Sequence, residues 1–336
     1  MLAGVLSVVL PFRDAAATLA TAVTSTLSDL GARGELLLVN DGSTDGSAEL
    51  AASIARKDAR VRLVASGGRG IAAALAEGIA AARGDLVARM DADDVLLPGR
   101  IGAQVAALEA DARLAVVGCR VRVEGLGADV GEGLRRYVAW QNALLTPEDH
   151  ARDRFVESTL CHPATMLRKS AVLAVGGYRD VPWPEDWDLW LRLLAEGFRI
   201  AKVPHEGLVW RHRAGRETFS SARCSEEALR RARAHHLARW LGPERSPLVV
   251  WGAGRTGRRL ARALEAEGRC ADAFVDIDPR KIGRTARGAP IVRPEALVRG
   301  GGMVVVAVGA QGARMEVRAH LASRGFEDVS DFICAA

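Results

Sequence analysis

Three carboxylates fall within four residues in Arg89-Met90-Asp91-Ala92-Asp93-Asp94, directly after an apolar run. Acids this close repel one another unless a cation or a capping role offsets them. In extended backbone, residues two apart share a face, so Asp91 and Asp93 can converge on one site. Hard oxygen ligands of this kind suit Mg²⁺ or Mn²⁺, with a substrate diphosphate completing the shell. A solvated acidic turn ahead of Pro98 is the plainer alternative, and the buried-strand context favours the metal.

A second stretch, Val39-Asn40-Asp41-Gly42-Ser43-Thr44-Asp45-Gly46, also follows an apolar run. A carboxylate there accepts from a base N–H while the N–H groups of the next helix face phosphate. Equally, Asp41 with Ser43 or Thr44 can simply form the turn and cap the helix. In the third, Trp183-Pro184-Glu185-Asp186-Trp187-Asp188-Leu189-Trp190-Leu191, Trp187, Trp190, Leu191 and Leu194 recur at helical spacing. Glu185 and Asp186 then lie at a helix N-terminus, where acids complement the dipole. Such a rigidly held carboxylate can also act as general base on a hydroxyl. His162, in Cys161-His162-Pro163, and His212, in Trp210-Arg211-His212-Arg213, are isolated histidines, a type more often structural than ligating.

The elements that must hold these residues alternate from the start. Val5–Leu10, Glu35–Val39, Val61–Ala65, Asp85–Met90 and Leu114–Cys119 read as strands. Ala15–Leu30, about Thr44–Lys57, Gly70–Arg83 and Pro98–Ala110 read as helices. This rhythm predicts a parallel sheet covered on both faces, with ligands outside the carboxyl ends of its strands. From about 120 to 245 the rhythm breaks: Glu124–Gly133 reads as an exposed loop or hairpin, a helix begins at Pro184, and an Arg-rich helix spans Ser225–Leu241. Gly242–Pro247 reads as a linker.

Beyond it, Val249-Val250-Trp251-Gly252-Ala253-Gly254-Arg255-Thr256-Gly257 ends a strand and opens a helix. This is GxGxxG in its strand-turn-helix setting, with Asp276 ending the next strand about twenty residues on. NAD or another nucleotide is therefore open for the second domain. The same glycines would also serve helix-strand packing alone, and an accessory role is favoured over redox chemistry.

The chain of 336 residues is long for one core, and 49% hydrophobic with 26% charged residues is ordinary for a globular protein. Basic residues are 42 Arg and 4 Lys, for a net charge of +5. That small excess could attract phosphorylated ligands or an anionic membrane surface, or reflect Arg usage alone. Aromatic residues at 5% make nucleic acid a poor partner. The five scattered cysteines point to a reduced compartment. No apolar run approaches a membrane span, and the N-terminal apolar stretch reads as a buried strand. The expected location is cytoplasmic, with peripheral contact at the inner face of the membrane left open.

Taken in order, Ser7-Val8-Val9-Leu10-Pro11-Phe12, Asp41-Gly42-Ser43-Thr44-Asp45, Gly70 through Gly84, Asp91-Ala92-Asp93-Asp94, His162-Pro163, Gly176-Gly177-Tyr178 and Glu185-Asp186-Trp187-Asp188-Leu189-Trp190 resemble the family 2 glycosyltransferases. The match covers about residues 1–220. It implies an α/β GT-A-type, mostly parallel sheet domain at 1–242 with a helical extension. A smaller Rossmann-like α/β domain at 247–336 would follow. It implies an inverting glycosyltransferase moving a sugar from a nucleotide-diphosphate donor to an acceptor hydroxyl of a glycan or lipid-linked acceptor, in polysaccharide synthesis. Pro11, Asp41 and Asp91 would line the nucleotide-sugar site, Asp93 and His212 would meet a divalent metal, and Asp186 would be the base. Gly252, Gly254, Gly257 and Asp276 would form the second domain's nucleotide site. Arg13 and Asp14 stand where many members have Tyr and Asn, which leaves the base contacts open.

The rival readings are a non-catalytic nucleotide-sugar binder and an NAD-linked sugar-modifying enzyme. The short-chain form of the latter needs Tyr-x-x-x-Lys, but Tyr137 and Tyr178 are followed at that spacing by Gln141 and Pro182. A nucleotidyltransferase would need a Gly-rich basic loop after the first strand, where Pro11-Phe12-Arg13-Asp14 stands instead.

Overall fold

A computed structural model of the chain describes residues 6–213 and 221–336; Val5, at the start of the expected first strand, lies outside them. Two compact units result. Met1–His150, Thr159–Val181 and Glu185–Ser220 make the first, and Ala151–Ser158, Pro182–Pro184 and Ser221–Ala336 the second.

The first unit is built on an eight-stranded sheet. Its strands are β1 (Leu6–Phe12), β2 (Gly34–Asn40), β3 (Val61–Ala65), β4 (Leu86–Arg89), β5 (Val95–Leu96), β6 (Leu114–Gly125), β7 (Thr165–Arg168) and β8 (Arg199–His212). They lie in the order β3-β2-β1-β4-β7-β6-β8-β5. The pairs β2/β3, β1/β2, β1/β4 and β6/β8 are parallel. β7 runs against both β4 and β6, and β5 against β8. The sheet is thus mostly parallel, with two strands reversed. Its direction puts the carboxyl ends of β1, β2, β4 and β8 and the amino end of β7 along one edge.

Every residue of β1 and β2 except Leu6 and Asn40 is buried. Near-continuous apolar strands of this kind need helices on both faces. Leu19–Leu30, Ser47–Lys57, Ile71–Ala81 and Arg100–Ala110 supply them. Helix Ile71–Ala81 approaches so closely that a Cβ at Gly78 would collide with the Val9 side chain. The resulting core includes Val8, Leu10, Leu36, Leu38, Met166 and Leu208.

Several boundaries differ from the sequence reading, each for a local reason. The first helix starts at Leu19, after Thr18 leaves helical backbone at φ −121°, and the N–H groups of Ala15 and Ala16 are held by Ser47 Oγ and Asp45 Oδ2. The second helix starts at Ser47, since Gly46 takes the left-handed conformation at φ +89°. The stretch 124–133 is neither a loop throughout nor a hairpin: β6 runs to Gly125 beside β8, and a helix opens at Glu132. β8 escaped the sequence reading because its first half alternates buried and exposed positions among Lys, His and Glu.

A buried polar clip ties the strand ends together. Arg100, fully buried, donates from Nη2 to the carbonyls of Arg89 (2.8 Å) and Thr165 (3.2 Å), and from Nε to Gln104 Oε1 (3.1 Å). Gln104 Nε2 donates to Val117 O (2.8 Å) and Ala164 O (2.9 Å). Burial holds the Arg100 pKa below its ordinary value. Arg100→Met would leave two buried carbonyls without their donor, at about 1–3 kcal/mol each. The expected result is a melting temperature several degrees lower, read by calorimetry, with the donor KM of the folded fraction unchanged.

The second unit carries β9 (Leu248–Trp251), β10 (Ala273–Val275), β11 (Thr285–Ala286), β12 (Ala289–Val292), β13 (Met303–Val306) and β14 (Phe332–Cys334). Their order is β11-β12-β10-β9-β13-β14, parallel except where β11 meets β12. Chain direction from β9 therefore divides, to β10 on one side and β13 on the other. Helix Glu226–Leu241 groups with this unit, across the division expected near 242. Its Arg233 reaches inward, donating to Phe155 O and Val156 O at 2.6 Å each, while Arg231 and Arg239 are exposed. Among the described residues no helix is long and apolar enough to cross a membrane.

Candidate active site

Pro11 lies at the carboxyl end of β1, with β2 on one side and β4 on the other, buried and opposite Val39. Asp41 follows β2 directly, its N–H donating to Phe12 O at 2.9 Å. Its carboxylate is 5% exposed and accepts from Ser66 Oγ (2.6 Å) and from Gly70 N–H (3.0 Å), so it braces the entry to helix Ile71–Ala81. Neither Ser43 nor Thr44 caps the following helix, whose N-cap is Gly46. They knit the loop to the one after β1: Ser43 Oγ accepts from Asp14 N–H (3.2 Å), and Thr44 N–H donates to Asp14 Oδ1 (2.8 Å). Asp14 adopts φ +48°, a left-handed conformation Asp tolerates better than most residues. The departure at Asp14 is thereby given a local structural role.

Asp91, Asp93 and Asp94 follow β4, and one ligand oxygen from each lies within 4.8 Å of the others. Among the described residues this is the group of acids and histidines close enough to hold an ion together. It includes Asp94, which the sequence reading left aside, and does not include the His212 ring. The end of β8 nevertheless closes over the acids from both sides of His212. Arg211 N–H donates to the fully buried Asp94 (2.8 Å), and Arg213 Nε donates to Asp93 Oδ2 (3.0 Å). Asp91 is ion-paired with Arg89, itself 4% exposed in the last position of β4. Burial works against the charge on Arg89, but the carboxylates of Asp91, Glu185 and Asp94 outweigh it and raise its pKa above the ordinary value. Three carboxylates and two guanidiniums thus share one sheet end.

Helix Glu185–Ala195 forms because Trp187, Leu189, Trp190, Leu191 and Leu193 bury one broad face, while Glu185, Asp186 and Asp188 occupy its first turn. Arg192 anchors it, bonding Asp188 Oδ2 (2.7 Å), Val175 O (2.6 Å) and Gly177 O (2.7 Å). The turn it grips requires glycine: Gly176 and Gly177 have φ of +83° and +67°. Tyr178, next in the chain, reaches His162 Nε2 at 2.8 Å, and His162 Nδ1 faces Glu185 Oε1 at 3.6 Å. His162 opens the turn before β7, so helix, glycine turn and strand edge are joined beside β4.

In the second unit, Gly252 and Gly257 are glycines for packing. A Cβ on either would strike backbone oxygen, of Ala307 and Gly252 respectively, whereas a Cβ on Gly254 would meet nothing within 4 Å. Asp276 follows β10 and is engaged internally, accepting from Ala253 N–H (2.9 Å), Asp278 N–H (2.9 Å) and Lys281 Nζ (3.0 Å). Those bonds hold its pKa below the usual carboxylate range despite burial.

A mostly parallel sheet whose carboxyl edge gathers the Asp41 loop and a cluster of acids, with a carboxylate-tipped helix beside it, has the build of a GT-A-type transferase. The model for the family described as Glycosyl transferase family 2 matches residues 7–176, and the chain belongs to that family. It is a glycosyltransferase, an enzyme that draws its sugar from a nucleotide-sugar donor.

Among its relatives, EpsE of Bacillus subtilis (strain 168) is 31% identical over 239 residues, covering 67% of this chain and 82% of EpsE. The amylovoran biosynthesis glycosyltransferase AmsE of Erwinia amylovora is 29% identical over 154 residues, 46% of this chain and 54% of AmsE. Two solved structures share the fold. S. aureus TarS 1-349 in complex with UDP-GlcNAc aligns with a TM-score of 0.54 at 16% identity, over 77% of this chain and 71% of that one. The mannosyltransferase PcManGT of Pyrobaculum calidifontis, in complex with GDP-Man and Mn2+, aligns with a TM-score of 0.50 at 18% identity, over 78% and 74%.

Proposed function

We propose that the enzyme inverts configuration as it moves a sugar from a nucleoside diphosphate to an acceptor hydroxyl on a glycan or lipid-linked glycan, in the assembly of a polysaccharide. The observation that supports this best is the single sheet edge shared by Pro11, Asp41, the Asp91–Asp94 acids and the turn that reaches Glu185. A relative named for amylovoran biosynthesis agrees with a polysaccharide product. A lipid-linked acceptor would bring the enzyme to the inner face of a membrane as a peripheral protein.

In this reading Pro11 and Asp41 line the nucleoside pocket. Asp41 Oδ1 and Oδ2 are preset by Ser66 and Gly70, so its orientation is fixed before a base arrives. Oxygen donors within 4.8 Å of each other fit a hard divalent cation, Mn²⁺ or Mg²⁺, held by Asp93 with Asp91 and Asp94. Bound there, such an ion would supply Lewis-acid neutralisation of the departing diphosphate. In the same reading His212, between the two residues that touch Asp93 and Asp94, supports that end. Arg89 and Arg213 add fixed positive charge where negative charge develops. Asp186 takes the proton from the acceptor hydroxyl, whose oxygen attacks the anomeric carbon opposite the leaving diphosphate.

The test is a panel of nucleotide-sugars assayed for transfer and hydrolysis before and after chelation by EDTA. Turnover should fall to background with EDTA and return with Mn²⁺ or Mg²⁺ but not with K⁺. Unchanged turnover after exhaustive chelation would contradict the metal assignment.

The second unit we read as a Rossmann-like module over 247–336 with an accessory role. Division of chain direction at β9 and the Gly252, Gly254 and Gly257 turn favour it, and a nucleotide, NAD included, would meet the open face at Gly254. Asp276, already holding the turn and Lys281, suits bracing better than reading a ribose.

A further inference from the structure

Transfer as proposed needs the Asp186 carboxylate fixed to within a fraction of an ångström, yet Asp186 sits in the first turn of a helix, where the backbone has fewest constraints. What holds that turn is a closed ring of side chains. Arg192 fastens the helix to Val175 and Gly177, and the adjoining Tyr178 hydroxyl meets His162 Nε2 at 2.8 Å. The other ring nitrogen, Nδ1, faces Glu185 Oε1 at 3.6 Å. The imidazole also stands edge-on to Trp190 of the same helix, with centroids 5.8 Å apart and planes at 86°. His162 therefore touches the helix twice, once on either side of Asp186, and is 8% exposed.

Resting on the reading of Asp186 as base, we propose that His162 is a positioning residue. Its neutral imidazole, packed edge-on against Trp190 and with the Nδ1 proton turned toward Glu185 across 3.6 Å, seats the first turn of the helix and so aims Asp186 at the acceptor. The tautomer follows from its neighbours. A carboxylate only accepts, so the nitrogen facing Glu185 carries the proton; Nε2 then accepts, and the Tyr178 O–H donates to it. Burial and the nearby Arg89 charge hold the His162 pKa well below its ordinary value, so the ring stays neutral. Burial pushes the Tyr178 pKa up, so its hydroxyl keeps the proton it donates. No proton moves along this chain during transfer; its effect is orientation.

Two substitutions separate positioning from bulk. His162→Asn can keep an N–H donor near the Nδ1 position, whereas His162→Gln carries its amide toward Tyr178 and loses the donor to Glu185. Misplacing a reacting group by about 1 Å can cost about 10²-fold, so kcat of His162→Gln and His162→Ala should fall on that order. His162→Asn should retain distinctly more, and donor KM and nucleotide Kd should stay at wild-type values in all three. Melting temperatures would rank the variants by packing instead. If kcat follows melting temperature, with Gln above Asn, or is unchanged in all three, the inference is overturned. Should these variants not fold, Tyr178→Phe removes the hydroxyl that anchors Nε2 and so frees the ring to turn. It should lower kcat at unchanged donor KM, and wild-type kcat in that variant also overturns the inference. An Asp186→Asn control separates the two levels: full activity there sinks the base assignment itself, while its inactivity with Asn no better than Gln sinks only the role of His162.

Discussion

Asp186→Asn is expected to lower kcat by about 10²–10⁴-fold, the usual cost of removing a well-placed general base. The substitution keeps shape and volume and removes only the charge and the ability to take a proton. Its effect on folding should be small, because the lost interaction with the helix dipole amounts to about 0.3–1 kcal/mol. The buried face of Trp187, Leu189, Trp190 and Leu191, which fixes the helix, is untouched. Nucleoside diphosphate affinity should stay within about twofold of wild type if, as proposed, Asp186 acts on the acceptor side and the loss belongs to the transition state. Titration calorimetry with the diphosphate beside steady-state turnover separates the two quantities. Equal losses in binding and turnover would mean that Asp186 shapes the donor pocket instead.

Asp93→Asn is the second large effect, expected at about 10²–10³-fold in kcat/KM, the scale on which one stabiliser of developing charge acts. Here two consequences coincide. An anionic oxygen donor is lost from the group of three, and Arg213 loses the carboxylate it meets at 3.0 Å. Excess Mn²⁺ should therefore restore part of the activity by mass action, whereas no metal concentration should rescue Asp186→Asn. Asp91→Asn should behave differently again. Its partner Arg89 is 4% exposed, so that change takes one counter-charge from a buried guanidinium and should destabilise the fold by about 1–3 kcal/mol. Loss of rescue by metal in Asp93→Asn, with melting as low as in Asp91→Asn, would show a structural role for both acids.

The candidate loops were legible in the sequence because each follows a largely apolar strand, and topology brings such loops to one edge. Asp41, Asp91 and Asp93 could be named for that reason. Their supports were not legible. Arg89 and Arg100 are two of 42 arginines, and only the fold separates a buried clip from a general excess of the residue. The one local signal was position: Arg89 stands in an otherwise apolar strand, where a charge needs a partner. His162 looked like a solitary histidine because Tyr178 and Glu185, 16 and 23 residues away, reach it only after the glycine turn folds back. β8 hid for the opposite reason, since its half-exposed first stretch lacks the apolar run that marked the other strands. Helix Glu226–Leu241 carried a helical pattern that was read correctly, but which unit it joins depends on Arg233 finding the carbonyls of residues 155 and 156, a long-range choice.

The decisive measurement is a crystal structure of the enzyme with a hydrolysis-resistant nucleotide-sugar and Mn²⁺, with the ion located by anomalous scattering. We expect one manganese peak against the side chain of Asp93, the nucleoside beside Pro11 and Asp41, and the anomeric carbon facing the Asp186 carboxylate. A donor lodged at Gly254 in the second unit, or a manganese peak remote from residues 91–94, would contradict the account.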